Sequence, residues 1–195
     1  AYAKFSSRQN IWSYPLGRSG PISVRDGRPV TSGSQVIEEH DVSPDGRWLV
    51  FDGNRRGNMD LYKIPLGGGE AIPLTDFPGN EFAPRWSPDG REIAFYSSGG
   101  QGFDIMVMSS GGGAPVVLAG SERASYYPVW SPSGLEIAFQ SDWPEQGRIR
   151  IVSRDSAGGA WHEAVQLTDL RCVMPVWAPD GSGVLCAWGS DLVFV

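Results

Sequence analysis

One nine-residue row returns four times along the chain. It reads Ser43-Pro44-Asp45-Gly46-Arg47-Trp48-Leu49-Val50-Phe51, then Ser87-Pro88-Asp89-Gly90-Arg91-Glu92-Ile93-Ala94-Phe95. It returns as Ser131-Pro132-Ser133-Gly134-Leu135-Glu136-Ile137-Ala138-Phe139, and last as Ala178-Pro179-Asp180-Gly181-Ser182-Gly183-Val184-Leu185-Cys186. The first residues lie 44, 44 and 47 positions apart. A period of this length matches four short strands and their turns, the unit of a propeller blade.

Each unit has a physical reading. The first strand ends at Trp86, Trp130 and Trp177, with Val42 in that slot of the first copy. In the turn that follows, Pro presets φ, Asp bonds nearby backbone and Gly takes a positive φ. Leu49-Val50-Phe51 and Ile93-Ala94-Phe95 are continuous apolar runs, as expected of strands buried on both faces. Third strands begin at Asp60 and Asp104, whose carboxylates are expected to bond backbone of the neighbouring loop. Gly67-Gly68-Gly69 and Gly111-Gly112-Gly113 turn the chain into a fourth strand. There Pro73 suits an outer edge, where no N–H is needed.

The predicted fold class is therefore all-β, a β-propeller of four-stranded antiparallel blades. Blade boundaries are expected near 36, 80, 124 and 171, within one domain spanning 1–195. Ala3-Lys4-Phe5 aligns with a second strand, Ile11–Leu16 with a third, and Asp191–Val195 with a last third strand. That arrangement is three complete and two partial blades. Because propellers close as rings of about four to eight blades, it predicts a fragment of a larger, six- to eight-bladed ring. Frequent Gly (26) and Pro (15) with only 19% charged residues fit many tight turns rather than helices.

The row Pro84-Arg85-Trp86-Ser87-Pro88-Asp89-Gly90, then Ile93-Ala94-Phe95, Asp104-Ile105-Met106-Val107 and Gly111-Gly112, resembles the TolB-type (WD40-like) propeller repeat. Leu74-Thr75 supplies its closing pair. Residues 84–119 carry nearly all of the pattern, and the resemblance runs from about residue 3 to 195. Val42, Ser133, Arg148 and Cys186 depart from it. The resemblance implies a protein-binding, scaffold or sensor module in the bacterial periplasm or another extracytoplasmic space. It also implies one alternative, the propeller of a larger prolyl-oligopeptidase-type serine peptidase; a propeller enzyme acting on carbohydrate is a further alternative, which would need a metal or an acid–base pair in the channel. Additional domains in a full-length chain fit all three. A fold of this kind does not by itself fix a function.

Composition narrows the chemistry. Net charge is −6, and beyond residue 35 there are 11 basic and 21 acidic residues, which argues against nucleic acid as a partner. No stretch reaches the roughly 20 apolar residues of a spanning helix, so no membrane insertion is expected. No Gly-x-Ser-x-Gly elbow occurs, and Gly17-Arg18-Ser19-Gly20 before Pro21 reads as a loop. His40 and His162 lack partner clusters. Asp45, Asp89 and Asp180 fall one to a blade, whereas calcium needs oxygens converging on one point. Glu38 and Glu39 are adjacent on a strand, so they point to opposite faces. The reading is no catalytic residue, no metal and no cofactor. Cys172 and Cys186 fall on paired strands, and both are expected to be free thiols.

Loops on a rigid scaffold commonly carry binding. Those joining second to third strands, and fourth strands to the next blade, contain Arg55, Arg56, Arg123, Tyr126, Trp143 and Arg171. These residue types are enriched at interface hot spots. They are the candidate contacts for a protein partner.

Overall fold

Ser43, Asp45 and Gly46 fold the first Pro-Asp-Gly turn with five bonds. The Ser43 hydroxyl donates to Asp45 Oδ1 (2.6 Å) and accepts from Trp48 N–H (2.9 Å). Asp45 Oδ1 also accepts from Arg47 N–H, Gly46 N–H bonds Ser43 C=O, and Ser43 N–H bonds Trp48 C=O. Gly46, Gly90, Gly134 and Gly181 adopt φ of 69°, 71°, 70° and 75°, so glycine is required at this one step of every unit. Ser133 keeps the turn in the third unit, its hydroxyl replacing the carboxylate towards Leu135 N–H and Ser131.

These turns organise a computed structural model that describes residues 9–15, 23–99, 102–120, 124–141 and 147–195. The expected strand at Ala3-Lys4-Phe5 and the Gly17–Pro21 loop lie outside the described residues. Blade 0 contributes β1 (Trp12–Ser13) and β2 (Arg28–Pro29), paired antiparallel. Blade 1 is β3 (His40–Val42), β4 (Trp48–Gly53), β5 (Asp60–Pro65) and β6 (Ile72–Pro73). Blade 2 is β7 (Glu81–Trp86), β8 (Glu92–Ser97), β9 (Asp104–Ser109) and β10 (Val116–Ala119). Blade 3 is β11 (Ser125–Trp130), β12 (Glu136–Ser141), β13 (Arg148–Ser153) and β14 (Val165–Gln166). Blade 4 is β15 (Val173–Trp177), β16 (Val184–Trp188) and β17 (Asp191–Phe194). Within each blade the strands neighbour one another in chain order, all antiparallel. Pro73 does sit on the outer strand.

The apolar core lies between blades. Val50, Leu61 and Leu74 of blade 1 pack on Trp86, Ile93 and Phe95 of blade 2. Ala94, Ile105 and Val107 of blade 2 meet Trp130, Ile137 and Phe139 of blade 3. Ala138 and Ile149 of blade 3 meet Cys172, Val184 and Cys186 of blade 4. Blade 4 has the next such face uncovered. Leu192 is 77% exposed and Phe194 55%, in the slots where Ile105 and Val107 are buried. Among the described residues the sheets do not close into a ring, as expected of a propeller fragment.

First strands β7, β11 and β15 share a bulge. Phe82 pairs with Tyr96 and Arg85 with Ala94, so Ala83 and Pro84 together oppose one residue. The same shift occurs between Tyr126 and Val129, and between Val173 and Val176. Ala83, Tyr127 and Met174 sit at φ of 49°, 52° and 55°, each just before a proline. Proline brings no N–H to the unpaired position, which is why it suits this place in the strand.

The two cysteines are not the free thiols expected. Cys172 and Cys186 form a disulfide, with Cα atoms 5.6 Å apart. Cys186 fills the slot of Phe51, Phe95 and Phe139, and the smaller side chain leaves room for the Cys172 sulfur beside it.

Candidate functional site

The rim built from the second-to-third and fourth-to-first strand connections is knit by side chains. Asn58 Nδ2 donates to Phe77 C=O (2.8 Å) and to Gly79 C=O, while Met59 N–H donates to Asn80 Oδ1 (3.0 Å). Asn80 N–H donates to Ser98 Oγ (2.9 Å). These bonds tie the loops of blades 1 and 2 together, so this part of the rim is held in place.

The structure separates the sequence-nominated residues. Arg55 Nε donates to Gln35 Oε1 (2.8 Å), its NH2 reaches Ser32 C=O (3.2 Å), and its guanidinium lies over the Tyr62 ring at 5.5 Å. It ties the segment before β3 to blade 1. Arg56 points outward, 3.5 Å from Asp76 Oδ2. Arg171 is exposed in the connection before β15. Arg123 and Trp143 lie outside the described residues. Tyr126 belongs to an aromatic cluster with Phe103 (centroids 4.8 Å apart), Tyr96 (5.4 Å) and Tyr127 (6.3 Å). Phe82 stacks on Tyr96 at 5.3 Å. Tyr127, on the bulge of β11, is the exposed member at 38%.

Several polar residues of this region escaped the sequence reading. Asp52 is fully buried, and its Oδ1 accepts from Glu38 N–H (2.8 Å) and Glu39 N–H (2.9 Å). Its Oδ2 accepts from Ala83 N–H of blade 2 (3.1 Å). Burial pushes the Asp52 carboxyl above its ordinary range, against the pull of these three N–H donors. Gln140 repeats the arrangement two junctions further on, accepting from Met174 N–H (3.3 Å). Tyr96 holds this slot in blade 2, and burial raises its phenol. A polar residue directly after the apolar run of a second strand was the available signal. Asp60 does not bond loop backbone as expected; its Oδ1 accepts from the Thr75 hydroxyl (3.4 Å), and burial is what raises its carboxyl.

The inner wall, where the first strands meet, carries a groove of about 320 Å³ lined by Asp41, Arg85, Trp86, Trp130 and Trp177 among others. Arg85 NH2 pairs with Glu39 Oε2 at 2.9 Å. Trp130 Nε1 donates to Arg85 C=O and Trp177 Nε1 to Val129 C=O, each at 3.1 Å. Trp86 N–H donates to Asp41 Oδ2 (2.8 Å); burial outweighs that bond and the nearby Arg85, raising the Asp41 carboxyl. His40 is exposed, and His162 lies 3.6 Å from Asp155 Oδ2 at the surface. Among the described residues no group of three or more His, Cys, Asp or Glu is arranged to hold a metal ion.

Fold and site define a β-propeller segment with blade-to-blade packing and a loop-built rim. Its blades are of the TolB type. A protein assigned as TolB in Agrobacterium tumefaciens superposes with a TM-score of 0.74 and 26% identity, covering 92% of this chain and 63% of that one. TolB from Acinetobacter baumannii gives 0.69 and 22%, covering 96% and 45%. A puromycin-hydrolysing peptidase of Mycobacterium tuberculosis gives 0.63 and 18%, covering 86% and 31%. In sequence, the uncharacterised peptidase YuxL of Bacillus subtilis is 39% identical over 85 residues, 43% of this chain and 12% of its own length. The uncharacterised protein Atu1656 of Agrobacterium fabrum is 31% identical over 55 residues, 28% of this chain and 19% of its own length. The chain thus spans less than a fifth of either curated relative. No family model matches it.

Proposed function

We propose that this chain is a non-catalytic, protein-binding part of a TolB-like propeller, and that the partner docks on the rim. One observation carries the reading. Tyr127 is held out on a bulged first strand, backed by Tyr126, Tyr96 and Phe103, while the acidic groups Asp52, Asp60 and Glu81 are buried in blade contacts. A rigid aromatic side chain on a preorganised surface loses little entropy on binding. Arg55, Arg56, Arg123, Tyr126, Trp143 and Arg171 extend this surface in the proposal. The likeness to TolB and the Cys172–Cys186 disulfide favour an extracytoplasmic setting, because disulfides persist where thiols are not kept reduced. A photo-crosslinker at position 127 is expected to trap a protein partner in cells, and the same group at Ile72, on the outer strand, is not. Equal capture from both positions would remove the rim assignment.

A second reading, the propeller of a larger serine peptidase, is favoured by the YuxL match and the puromycin-hydrolysing relative. It predicts that the full-length product reacts with a fluorophosphonate probe. A full-length product that stays unlabelled while folded would sink it.

A further inference from the structure

The rim end of the blade 1–blade 2 junction buries two acids, and among the described residues no cation is bonded to either. Glu81 and Asp60 are both fully buried. Glu81 Oε1 accepts from the Ser97 hydroxyl (3.0 Å), but Glu81 Oε2 has no partner, and neither does Asp60 Oδ2. The Tyr62 hydroxyl, two residues along β5, lies near enough to Asp60 to lower its carboxyl, although neither oxygen meets a partner at full hydrogen-bond geometry. The Thr75 hydroxyl faces both acids, donating towards Asp60. Arg56 is the nearby cation, and it lies in solvent against Asp76. Among the described residues, the groups facing the pair are Thr75, Ser97, Tyr62, Asp76 and Arg56.

The backbone here is ordinary and the side chain is not. Glu81 N–H donates to Met59 C=O at 2.8 Å, as Ser125 N–H donates to Phe103 C=O and Cys172 N–H to Gly147 C=O at the next two junctions. In that shared slot the other junctions carry serine and cysteine. This junction carries a second buried carboxyl, which feels the charge of Asp60. Two buried negative charges without a counter-charge cost several kcal/mol each, so a positive charge must accompany them. Two carboxylates and a few hydroxyls fall short of the six to eight oxygens that calcium takes. A proton needs only one acceptor beside its donor.

We propose that the buried pair Asp60 and Glu81 carries a single proton, held on Glu81, and that this proton latches blade 1 to blade 2. Burial, with Asp60 adding to it, pushes the Glu81 carboxyl up to about 7. The folded state binds the proton more tightly than the unfolded chain, whose glutamate titrates near the ordinary 4.5. The stabilisation is complete below that value and is lost as pH rises through about 7.

Thermal unfolding of the full chain between pH 5 and pH 8.5 tests this. The wild type is expected to lose roughly 5 °C of Tm from the acid to the alkaline side of neutrality. Glu81→Gln keeps shape and donor without the charge, so it should flatten that part of the profile and melt above the wild type at pH 8. Glu81→Ser, copying the residue at 125, provides a second neutral variant should the amide pack poorly. Infrared spectra should show a protonated carboxyl band at pH 6 that disappears by pH 8.5 and is missing in Glu81→Gln. Parallel pH profiles for wild type and both variants would overturn the latch. So would calcium raising the wild-type Tm at pH 8 but not that of Glu81→Gln, which would assign a cation to the site instead.

Discussion

Arg154 and Glu92 meet two-pronged across the blade 2–blade 3 junction, with NH1–Oε1 at 3.1 Å and NH2–Oε2 at 2.7 Å. The guanidinium also donates to Gly134 C=O and lies over the Trp161 and Trp130 rings, at 4.6 and 5.4 Å. Its side chain is only 2% exposed against 23% for Glu92, so losing Glu92 strands a buried charge, and losing Arg154 unpairs a partly buried carboxylate and empties the space beside the two rings. Arg154→Ala is expected to cost about 3 kcal/mol in urea unfolding. Arg154→Lys should recover little, because a point charge matches neither the fork nor the stacking. Recovery of wild-type stability by lysine would show that charge alone matters there.

The Cys172–Cys186 bridge closes a short loop, the two residues being 14 apart in sequence. Loop-closure entropy for such a loop is worth about 3 kcal/mol. Replacing both cysteines by serine is expected to lower stability by about that amount, and Tm by roughly 6–12 °C at this chain size. Intact mass under non-reducing conditions should be lower than the fully reduced mass by two hydrogens.

The blades were legible from the chain because the turn chemistry repeats at a fixed period, and Pro-Asp-Gly requires the same local geometry each time. The bridge was not, and the bulge explains why. Strict alternation counted back from Trp177 puts Cys172 on the opposite face from Trp177 and Cys186. The bulge at Met174 inserts one residue, so Trp177 pairs with Val184 while Cys172 comes round to the same face as Cys186. Glu81 is displaced in the same way by Ala83 and Pro84, which turns it towards blade 1 beside Ser97. Arg55 shows the converse. An arginine in a glycine-rich loop reads as a free contact, but Gln35 and the Phe51 and Tyr62 rings that hold it come from elsewhere in the chain.

The repeated turns predict a cost that comes from conformation rather than crowding. Gly90 sits at φ 71°, and a Cβ there would lie 3.7 Å from Pro44, an ordinary contact. Gly46, at φ 69°, would meet nothing within 4 Å. Alanine at either position should therefore cost about the same, on the order of 1–2 kcal/mol, the penalty for a side chain in the left-handed region. Chemical denaturation of the two variants checks this, and a loss confined to Gly90→Ala would point to Pro44 instead.

Asp52 gives the sharpest contrast between removing a group and replacing it. Three backbone N–H donors converge on its carboxylate, two from the segment just before β3 and one from Ala83 of the next blade. Asp52→Ala leaves all three without an acceptor in a buried site, and about 3 kcal/mol should be lost. Asp52→Asn keeps one oxygen. If that oxygen stays with Glu38 and Glu39, the amide NH2 faces the Ala83 N–H, donor against donor, and the loss falls at about 1–2 kcal/mol. Amide hydrogen exchange separates the two variants by site. Ala83 should lose protection in both, whereas Glu38 and Glu39 lose it only in Asp52→Ala. Unchanged protection at Ala83 in both variants would show that the bond between blades does not hold the bulge.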